Sequence, residues 1–88
     1  MKPKVHPNAL KHLSYDEVIS AWYSTTKSIQ RTKKEEPPRW LCIGWLPKGQ
    51  SVELVAVETT EGWLIIHALS PVQSKFAQEI KKTERRQL

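Results

Sequence analysis

His67 sits in the run GWLIIHALSP (62–71), where nearly every neighbour is suited to a core. Cleaving RNA without a metal needs a base to take the ribose 2′-OH proton and an acid to protonate the leaving 5′-oxygen. It also needs Arg or Lys against the charge that develops on the phosphorane. His12, His67, Arg31, Arg39 and the basic tail offer the right groups, and Glu53 and Glu58 offer carboxylate bases. Trp40, Trp45 and Trp63 suit stacking on unpaired bases. Each has a plainer use. A carboxylate on a strand generally faces water, Arg39 equally suits a strand edge, and a small domain uses Trp chiefly to fill its core.

Other chemistries lack their motifs. There is no Gly-rich phosphate loop, no HExxH and no GxSxG. His6, His12 and His67 lack ligand-like spacing, so no metal and no cofactor is indicated. Cys42 is the single cysteine. It cannot form an internal disulfide, which fits a reducing compartment, and inside an apolar run it reads as a small buried hydrophobe. The segment MKPKVHPNAL lacks the apolar run of a signal peptide, and no stretch approaches the roughly 18 apolar residues of a membrane span. A cytoplasmic protein without a membrane partner is expected.

The 88 residues are expected to form one domain, with 1–7 and 82–88 flexible. Charge divides along the chain: net +5 over residues 1–34, −3 over 35–70 and +3 over 71–88. Basic ends around an acidic middle suit a polyanion or an acidic protein, although such ends also simply keep a small protein soluble. A fold this small has little stability to spare, so a permanent protein partner is in keeping with its size.

The elements follow from local patterns. Ser14 with Glu17 three residues on is a capping box, and Val18, Ile19, Trp22 and Tyr23 give the helix behind it an apolar face. NALKHL (8–13) suits a short helical turn. KSIQRT (27–32) is an ambiguous edge strand, and KKEEPP (33–38) is a loop. RWLCIGWL, VELVAVET and WLIIHAL read as three strands joined by tight turns, hence an antiparallel meander. Strict alternation puts Leu64 and Ile66 on one face of the last strand and Trp63, Ile65, His67 and Leu69 on the other. Ser70-Pro71 then opens a C-terminal helix with a stripe of Val72, Phe76, Ala77 and Ile80. Beyond Ile80 the chain is polar all round, a solvated helix end or a frayed arm. The expected fold is α+β: one or two N-terminal helices, a three- to four-stranded antiparallel sheet, and a C-terminal helix.

The order KHLSYDEV (11–18), PPRWLCIGWLPKG (37–49), ELVAVET (53–59) and WLIIHALSP (63–71) resembles the BrnT-like toxins of the RelE/ParE superfamily. The resemblance covers roughly residues 8–80 and lies in joint order and spacing more than in any one motif. Lys11-His12 match a Lys-His pair, Arg39-Trp40 an Arg-Trp pair and Ile43-Gly44 an Ile-Gly pair. Ile65-Ile66-His67-Ala68 match the last strand, with His67 in place of a small hydroxyl. It implies a RelE-like fold and a toxin that cleaves mRNA, free or ribosome-bound, and that is neutralised by a cognate antitoxin. With the residue types above, His67, Arg39 and His12 are the candidate catalytic residues, and Lys11, Arg31, Trp40 and Lys75 the candidate substrate-binding ones; Arg31 and Lys75 rest on their charge and have no match in the resemblance. The chain departs from the family in three places. Leu69 stands where the family has an Arg assigned to catalysis, Leu13 replaces a Gly, and the first strand shrinks to Lys4-Val5. A Leu cannot offset phosphorane charge. Two non-hydrolytic readings therefore stand beside the ribonuclease: a small binding protein on the same fold, and a ParE-like gyrase inhibitor.

Overall fold

The structure, a computed structural model, describes residues 2–86. It is α+β. β1 (Lys4–Val5) leads through a 3-10 turn (Pro7–Leu10) to α1 (Tyr15–Tyr23) and β2 (Lys27–Gln30), followed by β3 (Arg39–Trp45), β4 (Ser51–Thr59), β5 (Gly62–Leu69) and α2 (Ser74–Arg86). One sheet has the strand order β1-β5-β4-β3-β2. β2 to β5 pair antiparallel, as the tight turns require. β1 joins the far edge in parallel, opposite Leu64 and Ile65 of β5. The sheet is therefore five-stranded and mixed, where three or four antiparallel strands were expected. Two residues are too short to show a period of two, and β1 is held by pairing that only the folded chain supplies.

Each face of the sheet carries one helix. Cys42, Val52, Leu54, Ala56, Ile65 and Ala68 pack with Val18 and Ala21 of α1. Leu41 and Val55 pack with Phe76 and Ile80 of α2 on the other side. α1 starts at the capping box. Ser14 Oγ accepts from the Glu17 N–H at 3.2 Å, and a Glu17 carboxylate oxygen accepts from the Ser14 N–H at 2.9 Å. Ser14→Ala is expected to cost about 1 kcal/mol in a urea or thermal melt. Gly44 of β3 lies directly under α1: a Cβ there would stand 2.0 Å from the Ala21 carbonyl oxygen.

α2 differs from expectation at both ends. It opens at Ser74 instead of at Ser70-Pro71. Ser70 Oγ donates to the Ser51 carbonyl at 2.7 Å, and Ser51 Oγ accepts from the Val72 N–H at 3.0 Å, so this segment is tied to the start of β4. At the other end the helix continues through Arg86, because Thr83 extends the buried stripe of Phe76 and Ile80. Residues 82–86 are helical; of the segments 1–7 and 82–88, residues 1, 87 and 88 lie outside the described residues.

Candidate functional site

The position of His67 is set by an irregularity in β5. Val55 pairs with His67, but Ala56 pairs with Ile65, so Ile66 is an extra residue in the ladder. A bulge sets two successive residues against one and breaks the alternation. Trp63, Ile65 and Ala68 face α1, whereas Ile66 packs in the α2-side cluster. His67 lines a cleft with Ile66, Val55 and Phe76 on that same side. It does not share a face with Trp63 and Ile65, as unbroken alternation requires.

That cleft, about 350 Å³, is lined by Asn8, Arg31, Arg39, Glu53 and His67 over a floor of Val55, Ile66 and Phe76. Its polar centre is a pair: His67 Nε2 lies 2.9 Å from Glu53 Oε2. Glu53 is buried at 6% exposure. Its second oxygen accepts from the Gln73 N–H at 2.8 Å. Gln73 also supplies the carbonyl that accepts from Ala77, so the carboxylate sits at the positive end of α2. An ionised carboxylate only accepts, so Nε2 carries the hydrogen toward Glu53, and in the neutral imidazole Nδ1 presents the lone pair. Nδ1 has no partner among the described residues, and the His67 side chain is 41% exposed. The pair thus combines an anchored carboxylate with a reachable imidazole nitrogen, the arrangement of a general base with its orienting group.

The arginines at the cleft wall are held by carboxylates. Arg31 makes a two-point contact with Glu79 of α2, Nε to Oε2 at 2.6 Å and Nη2 to Oε1 at 3.2 Å. Glu35, in the β2–β3 connection, reaches Arg31 Nη1 at 3.4 Å and Arg39 Nε at 2.7 Å.

Of the residues singled out by sequence, Arg31, Arg39 and His67 converge on this cleft. Lys75 lies on α2 in a neighbouring groove with Lys33, Lys82 and Arg86. Lys11 and His12 are exposed between the 3-10 turn and α1 and do not line the cleft. Trp40 packs on the α1 side, edge-on to Trp63 with ring centroids 6.0 Å apart, so its indole serves the core cluster. Trp45 is exposed and its Nε1 donates to Thr26 Oγ1 at 2.9 Å. Glu53 points into the cleft, while Glu58 is exposed near the end of β4. Glu35, Glu79 and Asn8 had no sequence signal, since their approach depends on register and on a loop path. Cys42 is buried with its thiol pKa pushed up by desolvation, which outweighs the opposing contact with Ser28. It stays protonated at neutral pH and is no nucleophile. Among the described residues no group of three or more His, Cys, Asp or Glu is placed to hold a metal, and no helix is long and apolar enough to cross a membrane.

Fold and cleft together define a small α+β domain with a histidine–carboxylate pair beside two arginines. No family model matches the chain, and neither a curated protein nor a solved structure matches it.

Proposed function

We propose that this protein is the toxin of a type II toxin–antitoxin module, of the BrnT-like kind in the RelE/ParE superfamily. It acts in the cytoplasm as a metal-independent ribonuclease that inhibits translation by cleaving mRNA, and a cognate antitoxin neutralises it. The observation that carries the reading is the convergence of the Glu53–His67 pair with Arg31 and Arg39 in one cleft.

The residues divide the work. His67 Nδ1 takes the 2′-OH proton as that oxygen attacks phosphorus, the bond from phosphorus to the 5′-oxygen breaks, and solvent water protonates the departing oxygen; Glu53 fixes the ring and places a negative charge beside it as it becomes cationic. Arg39 faces the charge of the phosphorane. Leu69, where the resemblance calls for an Arg, pairs with Glu53 across the sheet; in this chain Arg39 and Arg31 supply the positive charge from β3 and the end of β2. The neighbouring groove suits the backbone on either side of the cut. Glu79 is engaged by Arg31 and Glu84 by Lys27, which leaves Lys33, Lys75 and Lys82 without a carboxylate partner among the described residues.

Induced expression followed by mapping of mRNA 5′ ends tests the reading. Growth arrest with new 5′ ends is expected, and His67→Ala and Arg39→Ala should each abolish both while the variants remain folded. Arrest with intact mRNA and damaged DNA would instead support gyrase inhibition, and no arrest would support a binding protein. The groove makes a separate prediction for single-stranded RNA. Lys75→Ala and Lys82→Ala should each weaken binding regardless of sequence, and each should reduce the slope of log affinity against log salt by about 0.7.

A further inference from the structure

Arg31 and Arg39 are direct cross-strand neighbours, the Arg31 N–H donating to the Arg39 carbonyl at 2.8 Å. Like charges placed opposite one another on adjacent strands repel, so this pair calls for an anion between its guanidinium groups. Among the described residues Glu79 pairs with Arg31 alone. Glu35 is the group that spans both, with Oε1 toward Arg31 Nη1 and Oε2 toward Arg39 Nε. Arg39 has no other carboxylate among the described residues, and its side chain is 45% exposed. A carboxylate and a phosphate placed across two guanidinium groups draw on the same N–H donors.

We propose that Arg31 and Arg39 form a phosphate seat that Glu35 fills in the free protein, so that a phosphate group binds by displacing the Glu35 carboxylate. Glu35 lies in the connection between β2 and β3, outside any helix or strand, so its side chain can leave without breaking a hydrogen-bonded ladder. Arg31 keeps Glu79 throughout and stays in place, while Arg39 turns from its internal partner to the incoming one. The ligand is a phosphate oxyanion, either free or part of a nucleic-acid backbone. The seat deepens the ribonuclease reading, on which it rests only for its biological ligand, by naming what holds the phosphate beside His67.

Glu35→Gln removes the competing charge and keeps the side-chain size. Calorimetry would compare inorganic phosphate with a short single-stranded oligodeoxynucleotide, which lacks the 2′-OH and so is not cut. Glu35→Gln is expected to bind both about tenfold more tightly than the wild type, and Glu35→Gln/Arg39→Gln should lose that gain. A gain for inorganic phosphate alone still supports the seat and assigns it to the free ion. Phosphate affinity that is unchanged or weaker in Glu35→Gln overturns it. Should that variant fail to fold, the arginine Nε–H signals of the wild type decide: those of Arg31 and Arg39 must shift together as inorganic phosphate is added, and stationary signals overturn the seat. Neither measurement involves cleavage. Failure of the seat therefore leaves the His67 assignment standing, and an inactive wild type leaves the seat standing.

Discussion

Glu53→Gln is expected to lower RNA cleavage by about 10²–10⁴-fold with little change in fold. The replacement is nearly isosteric, and the amide oxygen can still accept from the Gln73 N–H. Its NH₂ then faces His67 Nε2, where the carboxylate stood at 2.9 Å. An amide NH₂ donates, so Nε2 must become the acceptor and the ring hydrogen moves to Nδ1. The nitrogen turned toward substrate then has no lone pair with which to take a proton. Nitrogen-15 spectra of the imidazole report this tautomer directly, alongside single-turnover rates. A merely structural Glu53 would leave the rate intact and show its loss only in the melting temperature. Unchanged cleavage with a reversed tautomer would remove His67 from the role of base.

The largest effect on stability is expected at Gly44. A methyl group there would stand 2.0 Å from the Ala21 carbonyl oxygen and 2.7 Å from its carbon. Both atoms belong to the backbone of α1, so no side chain can swing aside, and the helix must lift from the sheet. Lifting it opens the contacts of Val18 and Ala21, both fully buried. Gly44→Ala should cost roughly 3 kcal/mol or more, against a total of roughly 5–15 kcal/mol for a typical domain. In a thermal melt that is a fall on the order of 15 °C. Gly49 is the control. It has open space around its would-be Cβ, and its φ of 91° makes Ala unfavourable for backbone reasons alone, at about 1 kcal/mol.

The parts of the fold legible in the sequence depend on neighbours in the chain. The capping box at Ser14 and Glu17 is satisfied by residues three apart, and the meander by turns of two to five residues. Less legible were features made by distant pairing. The strand at Lys4-Val5 was expected only from the resemblance, since it is too short to carry a period and depends on β5 for its hydrogen bonds. Thr83 looked polar, yet it is buried because α2 lies flat on the sheet. The candidate site shows the same division. Residue types alone singled out His67, Arg31 and Arg39. That Glu53 anchors the histidine, and that Glu35 bridges the arginines, follows from strand register and the course of a loop. By type Trp40 suits either a stacking platform or the core, and its place in β3, which turns it toward Trp63, puts it with the core.

The extra residue at Ile66 has a consequence for how this chain can change in length. Between the turn at Gly62 and the turn at Ser70, the side of the sheet that each residue occupies is fixed by counting in twos from either end, with one odd step at the bulge. The bulge residue itself is the one that can be lost: without Ile66, Ile65 stays opposite Ala56 and His67 opposite Val55, and an unbroken ladder keeps His67 on the side of Glu53. A residue lost between His67 and the turn at Ser70 has no such slack, because it shifts His67 by one step and turns it toward the α1 layer.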